Sequence, residues 1–342
     1  MNPDLILPHD GVLPIFASSP TRCGRGSTVI GTSTIGARAE LRAFSVIRGD
    51  GQTIAIGDDI HLGAFSTVHI ATETHPTLVG DRVSVGRNAV VHACTVGSDV
   101  VVEDDAVILD GSVVADGVLI EAGAIVFPRS SLEAGTVYAG SPAKPQRTID
   151  RSELAQRAER IRGAGDPATE SASADLDRLD ATAFVGANAR LSGRITLGAG
   201  SVVLFSCVLD ATAGPITVGA DTNIQDNSVI RAGTNGVVIG RETTVGHNVR
   251  MQDCRIGSHS LIGIGCVLAP GTVVADEVLL AAGAVTEPGQ LLEGGHLWGG
   301  RPARILSKLD DGKRRMMAQI VEGYCEHGRA YRRLQAATAR SA

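Results

Sequence analysis

Residues 79–102 read VGDRVSVGRNAVVHACTVGSDVVV. Val79, Val85 and Val91 stand six positions apart, and Val96 and Val102 resume the step. Glycine follows at Gly80, Gly86 and Gly97. An apolar residue at every sixth position fits neither the 3.6-residue period of a helix nor the alternation of an ordinary strand. It is the spacing of a β-solenoid with three short strands per turn, about 18 residues per coil. In that arrangement each apolar residue points inward and stacks on its counterpart in the next coil. One coil cannot bury its own core, so the pattern predicts several stacked coils.

The same pattern occurs again downstream. Ile239-Gly240, Val245-Gly246 and Met251 repeat the step, followed by Ile256-Gly257 and Ile262-Gly263. Val79 pairs with Ile239, Cys94 with Cys254 and Pro142 with Pro302, all at an offset of 160. Gly57 with Gly219 and Ser66 with Ser228 give 162, so the first half carries two extra residues between His69 and Val79. A constant offset over this distance is the mark of a tandem duplication. Both halves close alike, with Gly140-Ser141-Pro142-Ala143-Lys144 matching Gly300-Arg301-Pro302-Ala303-Arg304. Each closing motif leads into a segment expected to be helical, near 151–162 and 309–334.

These readings predict an all-β chain of two tandem left-handed parallel β-helix domains, each followed by an α-helix. The first domain is expected at 1–165, a linker at 166–176 in the stretch that opens with GAGDPATESASAD (163–175), and the second domain at 177–342. Composition agrees. Aromatics are only 3% and there are 42 glycines, as thin layers of small apolar side chains joined by many tight turns require. Met317, Ile320, Tyr324, Tyr331 and Leu334 fall near helical spacing and are read as a packing stripe.

The net charge of −6 and the lack of a basic stripe argue against a nucleic-acid partner. No stretch is long and apolar enough to predict a membrane span, and the N-terminal sequence does not read as a signal peptide. The six cysteines include no CxxC pair, and free thiols in a cytoplasmic protein are expected.

Several segments resemble the gamma-class carbonic anhydrases: Val46-Ile47-Arg48-Gly49-Asp50, Asn223-Ile224-Gln225-Asp226, Val245-Gly246-His247-Asn248 and the two Gly-x-Pro-Ala-Lys/Arg endings. The resemblance runs through nearly the whole chain, once per half. It implies trimeric packing with zinc, or else Fe2+ or Co2+, held between subunits by three histidines. At those three positions the first half has His69, Arg87 and His92, and the second has Arg231, His247 and Gln252. Each position keeps its histidine in one half only. The family takes its first and third ligands from one subunit and its second from a neighbour, and the split follows that division. The resemblance therefore implies one composite site of His69, His92 and His247 between unlike domains, paired in a trimer-like way, with a homo-oligomer left open.

The other motif residues divide similarly. Arg48 survives in the first half, where its counterpart in the second is Asp210. Gln225 and Asp226 survive in the second, against Gly63 and Ala64 in the first. The implied reaction is reversible hydration of CO2 to bicarbonate. Three imidazoles and a water make an open zinc site whose water ionises near pH 7. Gln225 would orient the reacting oxygen, and Arg48 would pair with Asp226 or Asp50. Glu73 stands where the family carries proton-transfer groups, beside its plainer reading as an exposed loop charge. Gly51 stands where the best-studied members have a second glutamate, which counts against fast proton transfer. The reciprocal site, with Arg87, Arg231 and Gln252, cannot bind a cation because guanidinium stays protonated. Three other readings stand beside this one: a metal-dependent hydrolase or lyase on another small substrate, a non-catalytic scaffold, and a hexapeptide acyltransferase. His61 and His259 are expected at the surface, and Cys94 and Cys254 as packing residues.

Overall fold

The structure, a computed structural model, describes residues 3–71, 75–166 and 178–341, with residue 178 and the last five as backbone only. Glu73 and nearly all of the expected linker lie outside the described residues. The chain divides into two compact units, Met1–Thr169 and Glu170–Ala342.

The first unit is a parallel β-solenoid. Three internal ladders run along it, one per face. Val29, Ile47, Val68, Val91, Ile108 and Val126 stack in register on the first. Ile56, Val79, Val96, Val114 and Leu132 form the second. Leu41, Leu62, Val85, Val102, Ile120 and Tyr138 form the third. These residues are almost completely buried and constitute one core. The sixth-position residues quoted above thus alternate between faces and rejoin one another a coil later.

The second unit repeats the plan. Its ladders include Leu209, Ile230, Met251 and Leu268 on one face, and Val203, Ile224, Val245, Ile262, Leu280 and Trp298 on another.

The glycines that follow the apolar residues serve close approach rather than positive φ. A Cβ on Gly80 would lie 2.7 Å from the carbonyl carbon of Gly97 in the next coil. The left-handed corners are often filled by other residues, such as Asp99 (φ 57°), Asn88 (φ 56°) and Phe65 (φ 60°). Asparagine and aspartate tolerate this region better than most side chains. The expectation that glycine serves the turns is therefore correct in part.

Each solenoid ends in an antiparallel hairpin that the repeat pattern does not announce, Thr136–Ala139 with Lys144–Thr148 and His296–Gly299 with Arg304–Lys308. A helix follows each hairpin. Helix α1, Arg151–Gly163, starts at the Asp150 cap, whose carboxylate accepts the Glu153 N–H at 2.8 Å. Its Leu154 and Ile161 pack on Val101, Leu119 and Val137. Helix α2, Asp311–Ser341, runs longer than the expected segment. Its buried stripe is Met317, Val321, Cys325 and Tyr331, with Tyr331 against Phe184 and Phe205. Ile320, Tyr324 and Leu334 sit at its margin, half-buried.

His61 corrects a reading. It was expected at the surface but is 1% exposed. It faces outward from the third face beside Ser84, where Arg162 of α1 reaches across to the Ser84 hydroxyl and the Asp59 carbonyl. The periodicity gives no sign of which outward face a helix will cover. His259 remains partly exposed, as expected, and Cys94 and Cys254 are buried packing residues. All six cysteines are free. Among the described residues no helix is long and apolar enough to cross a membrane.

Candidate metal centre

In the first unit, Arg48, His69 and His92 are neighbours in register on three successive strands, Val46–Ile56, Thr67–His69 and Val90–His92. Each follows an inward apolar residue (Ile47, Val68, Val91), so strand alternation turns all three outward in one row. They are nonetheless buried, at 0%, 2% and 9% exposure.

The contacts form a chain. Arg48 donates to Asp50 Oδ2 within a fully buried ion pair. Asp50 Oδ1 lies 3.0 Å from His69 Nε2. His69 Nδ1 lies 3.2 Å from His92 Nε2. His92 Nδ1 lies 2.6 Å from Asp110 Oδ1. The Thr77 hydroxyl donates to the His69 carbonyl and fixes the backbone there. Burial raises the Asp110 carboxyl, but the charge and hydrogen bond of His92 outweigh it and hold the group below the usual carboxylate range. Asp50, one of the two expected partners, is thus paired with Arg48.

These contacts select tautomers. A neutral imidazole carries one N–H, and a carboxylate only accepts. With the N–H of His69 directed to Asp50 and that of His92 to Asp110, the two facing nitrogens both present lone pairs. Two ligands at about 2.05 Å from a tetrahedral zinc stand about 3.3 Å apart. The observed 3.2 Å matches that edge. Imidazoles backed by carboxylates are the usual donors of such sites, and zinc, iron and cobalt all accept them. The pair fits a metal.

In the second unit the surviving motif residues form their own cluster. Gln225, Asp226 and Asn227 make a solenoid corner, with Asn227 at φ 60°. His247 follows the strand Thr244–Val245 one coil on, and the Asn248 N–H donates to the Asp226 carbonyl at 3.0 Å. Asp226 Oδ1 accepts the Phe205 N–H at 3.1 Å, and Oδ2 lies 3.2 Å from His247 Nδ1. His247 and Asp226 are 0% exposed. Gln225 is held by its Nε2, which donates to Asn223 Oδ1 at 3.2 Å.

Tyr324 of α2 adds a residue that sequence reasoning assigned to packing. Its hydroxyl lies 3.3 Å from His247 Nε2. Asp110 was also missed. It follows the strand Val107–Ile108 and has no motif of its own, so only the register of the coils reveals it. At the reciprocal positions Arg231 and Gln252 are exposed neighbours in register beside Asp210, an arrangement of hydrogen-bonding and charged side chains with no imidazole.

No protein-family model matches the chain. It is 32% identical over 134 residues to "Gamma carbonic anhydrase 1, mitochondrial" of Arabidopsis thaliana, covering 38% of this chain and 49% of that one. It is 35% identical over 85 residues to "Probable carbonic anhydrase" of Methanocaldococcus jannaschii, covering 25% and 53%. The chain thus spans about half the length of these carbonic anhydrases. It is 33% identical over 158 residues to "Protein YrdA" of Escherichia coli, covering 44% of this chain and 85% of that protein. Among solved structures, a hexapeptide transferase family protein from Anaplasma phagocytophilum is 32% identical and covers 45% of this chain and 92% of its own, with a TM-score of 0.44. The repeated six-residue ladder, the carboxylate-backed histidines and the sequence matches to the carbonic anhydrases and to Protein YrdA lead to one conclusion: the chain belongs to the gamma-class carbonic anhydrase-like family of hexapeptide-repeat β-helix proteins, in a tandem-duplicated form.

Proposed function

We propose that this chain is a metal-dependent enzyme of carbonic anhydrase type, with one metal centre composed of His69 and His92 from the first unit and His247 from the second. The observation that carries the reading is the His69–His92 pair, two carboxylate-backed imidazoles at a tetrahedral ligand spacing. The partition of motif residues supports the third ligand, because the second unit keeps the histidine that the first has replaced with Arg87. In this reading unlike units are neighbours, within one chain or between copies. The substrate is small: CO2 in one direction and bicarbonate in the other.

Zinc bound there would supply a water that ionises near neutral pH. The protein's own residues do the rest. Asp50 holds the His69 ring and is itself neutralised by Arg48, so Arg48 acts as a positioning residue two contacts from the ligand nitrogen. Asp226 places a carboxylate oxygen 3.2 Å from His247 Nδ1, with its other oxygen anchored on the Phe205 N–H. Gln225 has its amide fixed by Asn223 and is the group assigned to orient the reacting oxygen or the substrate. Glu73 is assigned to proton transfer on the resemblance alone. Six free thiols fit a reducing compartment, and we place the protein in the cytoplasm.

Stopped-flow CO2 hydration with a pH indicator tests the reaction. The zinc-loaded chain should accelerate hydration, and Gln225→Ala should lower kcat by roughly 100- to 1000-fold with zinc retained, in line with the loss of one preorganised polar group. Full metal occupancy without acceleration would overturn CO2 as the substrate and direct attention to another small electrophile.

A further inference from the structure

We infer that Asp110 is a positioning residue of the metal centre, fixing the ring of His92 so that Nε2 faces His69. The inference rests on the metal-site reading above and adds a residue to it. Its geometry comes wholly from the first unit.

The Asp110 carboxylate lies 2.6 Å from His92 Nδ1, the shortest of the three carboxylate–histidine contacts at the candidate ligands. An imidazole on a strand can present either nitrogen outward. The acceptor at Nδ1 selects the Nδ1–H tautomer and leaves the Nε2 lone pair on the side of His69, 3.2 Å away. A ligand whose tautomer and ring angle are set beforehand loses less freedom on binding metal.

The backbone that bears the carboxylate is itself held in place. The Asp110 carbonyl accepts the Arg129 N–H at 2.9 Å, and the next residue, Gly111, donates its N–H to the Ala93 carbonyl at 2.7 Å. Ala93 directly follows His92, so the corner bearing the acceptor is tied to the strand end bearing the ligand. Gly111 adopts φ +68°, which permits that corner.

The duplication supplies a comparison within the chain. At the offset of 160, Asp110 corresponds to Pro270 and His92 to Gln252. The half that lacks the third histidine also lacks the carboxylate behind it. An aspartate serving only as a solvated corner would have no reason to accompany the histidine, whereas an orienting partner would.

The test uses the full chain with Asp110→Ala and Asp110→Asn, read by zinc affinity in competition with a chromophoric chelator. The nitrogen-15 shifts of the His92 ring in the metal-free protein are the second readout. We expect the wild type to show His92 protonated at Nδ1, and Asp110→Ala to lose that preference and weaken zinc by about 10- to 100-fold. Asp110→Asn, which retains an acceptor oxygen, should lose less. Wild-type affinity in Asp110→Ala, or a wild-type His92 protonated at Nε2, would overturn the inference. A wild type that binds no zinc but carries His92 as the Nδ1–H tautomer would overturn the metal-site reading and leave the orienting contact standing.

Discussion

His69 Nδ1 and His92 Nε2 face each other at 3.2 Å across adjacent coils, each ring backed by its own aspartate. Two basic nitrogens this close must share a proton or a cation. The solenoid enforces the encounter, because register places His92 directly beside His69 in the ladder.

The Arg48–Asp50 pair gives a first prediction. Both side chains are 0% exposed. Removing one partner of a buried pair leaves an uncompensated charge, at a cost of about 3–5 kcal/mol. Arg48→Met should therefore lower the stability of the metal-free chain in urea by about that amount. Combining it with Asp50→Asn should recover a large part. An unchanged urea midpoint in Arg48→Met would show that the pair does not hold this face together.

Two glycines should respond in opposite directions to alanine. Gly80→Ala drives a methyl to within 2.7 Å of the backbone of the next coil. Overpacking of this kind costs about 1–3 kcal/mol. Gly163 closes α1 with nothing within 4 Å of its would-be Cβ. There alanine should stabilise by about 0.4–1 kcal/mol through the unfolded chain. Thermal unfolding of the two variants separates the cases, and equal effects would contradict the close-approach account of the repeat glycines.

The buried His61 predicts a pH dependence. Burial lowers its pKa below the ordinary 6.5, opposed by the hydrogen bond and charge of Glu40 and reinforced by Arg162 and Arg42. Below pH 6.5 the unfolded chain then binds more protons than the folded one, so stability present above that pH is lost as pH falls through the lowered value. His61→Gln should reduce the fall in Tm between pH 7.5 and pH 5.5 relative to wild type. An identical fall in both proteins would remove His61 as a cause.

The fold was legible because one residue class recurs at one spacing. Val79, Val85 and Val91 belong to three different faces, and the period exposes all three at once. The ligand candidates were legible through motifs. What escaped was set by contacts between coils or between coil and helix. Asp110 meets His92 only through register, His61 is buried on a face that Arg162 of α1 reaches across, and Tyr324 reaches His247 from a helix that reads as packing. None of these leaves a trace in local spacing. The closing hairpins were missed for a similar reason, since Lys144–Thr148 is exposed throughout and carries no apolar pattern.

The composite centre itself is tested most directly by metal content. Zinc should be determined in the purified full chain, prepared without chelators, and in His69→Ala and His247→Ala. The account predicts about one zinc per chain in the wild type and its loss in both variants alike. Zinc well below one equivalent in the wild type, or zinc retained by His247→Ala, would contradict it.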